Sequence, residues 1–150
     1  MPLMCDASDG FPGVCPYHGA CWEGLCSGPA LRARWGHPAE ELAADHPAWP
    51  LQARYVAQAL YTITCVLSPQ RFVLGGSVSQ AGRLGATRFL TLVYAQFRML
   101  ANGYLALPEL AEIDRYIVSP ALGEDSGVLG CIALAARVFS AAERQSSRRR

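Results

Sequence analysis

The chain has 150 residues, 51% of them hydrophobic and 17% charged, which is enough apolar material for a globular core. Its 13 basic and 12 acidic side chains leave a formal net charge of +1, so charge gives no reason to expect nucleic acid or an anionic membrane as partner. With no charged-then-apolar leader and no long apolar run, neither a signal peptide nor a transmembrane helix is expected, and the six cysteines fit a reducing cytoplasm better than a disulfide framework.

Taken in order, Met1 to Val14 reads as an irregular lead-in, rich in Pro, Gly, Asp and Ser and without periodicity. A turn-rich loop follows, and Trp22 to Leu31 then predicts a helix interrupted at Gly28-Pro29, where a new helical turn tolerates proline. Ala39 to Ala44 predicts one further helical stretch. Asp45-His46-Pro47 predicts an N-cap, with the Asp45 carboxylate accepting from an orphan backbone N–H. From Trp49 to Leu67, Leu51, Tyr55, Val56, Ala59, Leu60, Ile63 and Val66 recur at helical spacing and predict one apolar face. Cys65 falls inside that pattern and reads as core, as does Cys131 farther on.

Ser68-Pro69 ends the long helix. Arg71 to Leu74 is a strand candidate stopped by Gly75-Gly76, and Gln80 to Ala101 predicts a second amphipathic helix ended by Asn102-Gly103. Ile113 to Val118 is another strand candidate, and Gly127 to Phe139 predicts a last helix. Helices alternating with strands make an α/β fold. The expected organisation is a lead-in over 1–14, one folded unit over 15–140, and a basic tail over 141–150 that closes on Arg148-Arg149-Arg150.

The chemistry-bearing stretch is Cys15-Pro16-Tyr17-His18-Gly19-Ala20-Cys21. Its C-x-x-H-x-x-C spacing lets a short loop wrap two thiolates and one imidazole around a tetrahedral Zn²⁺, and zinc is preferred over simple packing of the trio. A closed structural site needs a fourth ligand. Cys5 is the candidate, because a helix starting near Cys21 would carry Cys26 away. Glu23, two positions after a ligand, is a carboxylate that the loop can hold rigid, although a solvated glutamate in a first helical turn looks the same in sequence. Gly75-Gly76 after an apolar strand permits close approach of a ligand to backbone, but an ordinary strand-to-helix turn is the commoner explanation. His37 and His46, each before a proline, read as surface loop and helix cap. There is no Gly-x-x-x-x-Gly-Lys-Ser/Thr loop and no convincing catalytic triad.

The run C-P-Y-H-G-x-C-x-E-G-L-x-S-G-P-A closely resembles the zinc-loop signature of bacterial fructokinases in the ROK family of sugar kinases. Asp45-His46-Pro47-Ala48-Trp49, Ser68-Pro69-Gln70-Arg71, Leu74-Gly75-Gly76, Asn102-Gly103-Tyr104 and Leu122-Gly123-Glu124-Asp125-Ser126-Gly127 resemble further landmarks of its second lobe, in order. The resemblance implies an α/β fold, the second lobe of an actin-like, ribonuclease H-like sugar kinase, which phosphorylates D-fructose to fructose 6-phosphate with ATP and Mg²⁺. It implies structural zinc on Cys15, His18 and Cys21, sugar contact by Glu23, and nucleotide contact by Pro29 and by Gly75, Gly76, Ser77, Val78 and Ser79. A cytoplasmic homodimer is also implied.

Three departures qualify it. Ser77 stands where the family has a third glycine, and Cys5 lies near the position of an upstream histidine ligand. The phosphate-binding Asp-x-Gly turn and the catalytic aspartate of the first lobe have no match, so no catalytic residue is assigned. The sequence therefore reads as a second lobe that is inactive alone. The alternative is a non-catalytic, zinc-stabilised remnant that binds sugar or protein.

Overall fold

The computed structural model describes residues 1–6 and 8–147, of whose side chains those of Glu124 and of residues 140–147 are left aside. The chain divides into two compact units, residues 1–119 and the segment from Pro120 onward. In the first, helix α1 (Trp22–Cys26) begins where the Cys21 side chain accepts from the Gly24 N–H, and α2 (Gly28–Trp35) follows after a single residue. Ser27 serves both. Its N–H donates to Glu23 O at 3.1 Å to close α1, and its hydroxyl accepts from Ala30 N at 3.3 Å to open α2. Gly36, at φ 77°, ends α2 in the left-handed conformation that glycine adopts without penalty.

Helix α3 (Ala48–Leu67) is the centre of this unit. The apolar periodicity predicts a helix buried on one face, yet Gln52, Ala53 and every residue from Tyr55 to Leu60 are buried. A helix enclosed on several sides must be apolar nearly all round. The enclosing elements are α1, helix α4 (Ala86–Ala101) and the extended segment at the start of the chain. On α4, Phe89, Val93 and Phe97 repeat every four residues and are wholly buried, with Phe89 edge-on to Trp49 at 6.3 Å. Truncating a ring of this kind to alanine costs about 3–5 kcal/mol.

The sheet is smaller than an alternating pattern suggests. Strand β1 (Phe72–Val73) runs parallel to β2 (Ile117–Val118), with Phe72 opposite Ile117. The expected strand over Ile113 to Val118 is instead a helical turn, α5 (Ile113–Tyr116), leading into β2. Tyr116 explains the change: in the helical turn its ring meets Phe72 at 5.4 Å and Phe97 at 6.1 Å, while its hydroxyl lies 3.0 Å from the Thr64 hydroxyl.

Several other expectations need correcting. Ala39 to Ala44 forms only a 3-10 turn at Ala39–Glu41. The acceptor at the start of α3 is His46, whose Nδ1 takes the Ala48 N–H at 3.1 Å, rather than Asp45. Cys65 is exposed, along with Val66 and Leu67, on the side of α3's last turn away from buried Thr64. In the second unit, a 3-10 turn (Gly123–Asp125) opens α6 (Ser126–Ser147), which continues well beyond Phe139 into the stretch expected as a tail. Cys131 on α6 is exposed too, and so are Val128, Leu129, Ile132, Leu134, Val138 and Phe139. Arg148, Arg149 and Arg150 lie outside the described residues.

The lead-in is irregular but firmly held. Leu3 N donates to Ala20 O at 3.2 Å and Trp22 N to Met1 O at 2.9 Å, so the first residues run beside the end of the cysteine loop. Asp9 pairs with Arg34 at 2.9 Å, both side chains are mostly buried, and the guanidinium sits 4.4 Å from the Phe11 ring centre.

Candidate functional site

The cysteine loop is closed on itself by backbone packing. Gly19 N donates to Cys15 O at 2.9 Å, and Cys21 N to Gly19 O at 3.0 Å. A Cβ on Gly24 would stand 1.9 Å from the Gly19 carbonyl oxygen, and one on Gly13 would stand 2.2 Å from the same atom. The first turn of α1 therefore lies directly against the loop, and that contact sets where Cys21 and Glu23 stand.

Within this frame the ligand atoms of Cys15, His18 and Cys21 lie within 4.8 Å of one another. Cys15 Sγ and His18 Nδ1 are 3.6 Å apart. With metal–sulfur and metal–nitrogen bonds of roughly 2.3 and 2.05 Å, a tetrahedral S–Zn–N edge is ~3.6 Å long. The donor set and the spacing fit zinc. Backbone N–H groups of Tyr17 and His18, with the His18 ring and Cys21 adding to them, lower the Cys15 thiol to about 7. Cys21 Sγ accepts from Gly24 N at 3.4 Å. The donors around Cys15 thus favour the thiolate a metal requires.

Cys5, the expected fourth ligand, is not in the group. Its neighbours Met4 and Asp6 are tied to Gln58 and Tyr55 of α3, where Met4 N meets Gln58 Oε1 and Asp6 N meets the Tyr55 hydroxyl, each at 3.0 Å. Cys26 is buried on α1 and also outside the trio, and burial pushes its thiol up to about 12.

Glu23 is exposed on the first turn of α1 and lines a recess of about 430 Å³ together with His18, Cys21, Trp22 and Cys26. Its carboxylate has no hydrogen-bond partner among the described residues and stands free to accept from a ligand. Of the remaining expected residues, all but Gly76 line one of two further hollows. Pro29, Ser77 and Val78 line one of about 430 Å³, and Gly75, Val78 and Ser79 line a smaller one of about 110 Å³. Gly76, at φ 97°, turns the chain so that its carbonyl accepts the Ser79 hydroxyl at 2.6 Å. The turn and the α1–α2 junction approach closely, since a Cβ on Gly28 would lie 4.0 Å from Val78 Cγ2.

Trp22 and Cys26, one helical turn apart, face both the Glu23 recess and the small hollow under the glycine turn. Neither stood out in the sequence as a wall between two sites. Gln52 was likewise missed. It is 1% exposed, its Nε2 donates to Cys26 O at 2.8 Å, and it lines the small hollow. A polar amide within a mostly apolar helical run was the only available signal, and Gln58 on the same helix shares it.

Comparison with known proteins supplies the context. The family described as the ROK family matches residues 3–138. The chain is 40% identical over 134 residues to a putative fructokinase of Bacillus subtilis (strain 168), which covers 89% of this chain and 43% of that protein. It is 39% identical over 134 residues to a fructokinase of Streptococcus mutans and 36% identical over 131 residues to one of Lactococcus lactis subsp. cremoris, again over 43% of each. The chain thus spans less than half the length of these relatives.

Proposed function

The chain belongs to the ROK family, and from that premise we propose that it is the zinc-bearing lobe of an ATP-dependent hexose kinase whose substrate is D-fructose and whose product is fructose 6-phosphate. The observation that carries this reading is the recess beside the Cys15–His18–Cys21 trio, where the exposed Glu23 carboxylate stands on a helix locked to the loop. A carboxylate accepts from two adjacent hydroxyls, and a rigid mount makes that contact selective for where the hydroxyls lie. Cys15, His18 and Cys21 would hold zinc, whose contribution there is to cross-link the loop. The relatives named as fructokinases favour fructose among the hexoses.

In this reading the nucleotide lies along Pro29 and the turn from Gly75 to Ser79. Of the hollows these residues line, the smaller is walled by Trp22 and Cys26 of α1, the helix that also carries Glu23, and the larger lies along Gly28, Pro29 and Arg32 of α2. Phosphoryl transfer also needs a base for the attacking hydroxyl and Mg²⁺ to spread the developing charge. No residue of this chain is assigned as that base, so the lobe binds and orients without turning over.

The test is calorimetric titration of fructose into zinc-loaded protein, with metal content measured in parallel. The expected result is one zinc per chain, fructose binding in the native chain, and loss of that binding in Glu23→Ala with zinc retained. Zinc without fructose binding in the native chain would instead favour a zinc-stabilised interaction module.

A further inference from the structure

The metal trio offers three donors, and tetrahedral zinc takes four. Among the described residues, no other histidine, cysteine or carboxylate donor joins the group formed by Cys15, His18 and Cys21. Cys5 is kept out by its neighbours. Gln58 bonds both backbone polar groups of Met4, and Asp6 N donates to the Tyr55 hydroxyl, each at 3.0 Å. The Asp6 side chain is paired with Arg54 as well. Carrying Cys5 to the metal would undo these bonds on both sides of it.

The trio faces outward. His18 is exposed, and both His18 and Cys21 line the recess of about 430 Å³ beside Glu23. Glu23 and Cys26 line the same recess, yet neither of their donor atoms belongs to the group. Cys26 is 8% exposed, and its carbonyl is taken by Gln52 Nε2 at 2.8 Å, so α1 keeps it with the core. Two thiolates balance the charge of Zn²⁺ and a neutral imidazole adds none, so the fourth position needs no further protein anion. Sulfur is among the donors that zinc accepts most readily.

We propose that zinc in this chain is held by three protein ligands, and that its fourth position accepts a small thiol from solution by way of the Glu23 recess. The proposal rests on the zinc reading of the trio. The thiol binds as its thiolate: a metal–sulfur bond forms, the thiol proton passes to buffer, and solvent leaves the position. A site with three protein ligands also exchanges its metal more readily than a closed one.

The test loads the purified chain with Co²⁺, whose visible absorption reports the thiolates bound to it, and titrates it with mercaptoethanol at fixed pH. Cobalt content is measured after gel filtration. One cobalt per chain is expected, with a saturable rise in the thiolate-to-cobalt band of roughly half, as two thiolates become three. Cys5 is exposed, so Cys5→Ser should keep the fold. It should also keep the native spectrum and, within about twofold, the native cobalt affinity, since even a residue that only supports a ligand is worth about 10–100-fold. A native spectrum that mercaptoethanol does not alter, or a tenfold or greater loss of affinity in Cys5→Ser, would mean a closed site and overturn the proposal while leaving the zinc reading intact. Cobalt stripped into the thiol would overturn it in the same way. A chain that binds neither cobalt nor zinc would overturn the zinc reading and this proposal together.

Discussion

Gln58 holds Met4 by both of its backbone polar groups: Met4 N donates to Oε1 and Nε2 donates to Met4 O, each at 3.0 Å. The side-chain amide thereby does for an extended segment what a neighbouring strand would do. Because Gln58 is buried on α3, the start of the chain is fastened to the most enclosed helix of the fold.

Replacing that amide by a hydrocarbon should loosen the segment without unfolding the protein. In Gln58→Leu both Met4 groups lose their partner, but the exposed Met4 backbone can rehydrate, so the expected cost is about 1 kcal/mol, at the low end of the range for such bonds. Hydrogen exchange should accelerate at Met4 and Asp6 while the amides of α4 stay protected. Unchanged exchange at Met4 would show that the amide is not what holds the segment.

Gly24 makes a sharper prediction. A methyl at this position would overlap the Gly19 carbonyl oxygen, 1.9 Å from the ideal Cβ, and backbone cannot swing aside as a side chain can. Gly24→Ala should destabilise by roughly 2–3 kcal/mol and pull the trio apart. Zinc content measured by atomic absorption should fall well below that of the native chain. Full occupancy would mean that the loop does not depend on its contact with α1.

Alkaline sensitivity follows from two raised acids. Desolvation lifts Cys26 from 9.0 to about 12, and desolvation with the Asp9 hydrogen bond lifts Tyr55 from 10.0 to about 12. Both groups are neutral when protonated, and the fold favours that form more than the unfolded chain does. Their contribution is therefore complete below pH 9, the lower of the two unfolded values, and is lost as pH rises towards 12. Denaturant midpoints should drop across that window. Cys26→Ala should flatten part of the drop, and an identical slope in that variant would rule out Cys26 as a source.

What could be read from sequence divides along physical lines. That Cys15, His18 and Cys21 come together was legible because their donor atoms sit within one short loop, where spacing alone constrains geometry. Cys5 was not, since its place depends on Gln58 and Tyr55, about fifty positions away, capturing its neighbours. The long helices showed in their periodicity. For the short stretch from Ile113 to Val118 period could not choose between helix and strand, and the fit of Tyr116 between Phe72 and Phe97 decided it. Cys65 was misplaced because the last turn of α3 buries Thr64 against Tyr116 and leaves its neighbour Cys65 exposed, which an apolar pattern does not reveal. Gln52 depends on the Cys26 carbonyl across the core, a contact that no local pattern encodes.

The Gly19 carbonyl occupies the space that a Cβ on either Gly13 or Gly24 would need, while Gly19 itself, at φ 51°, would bring a Cβ to 2.8 Å from Pro12 O. Three positions spread over twelve residues are therefore tied to one another. No single substitution at any of them is sterically neutral, and a change at one is not relieved by a change at either of the others. Descendants of this chain can vary Ala20 or Tyr17 one step at a time, but the three glycines have no gradual route to anything else and must be inherited as a set.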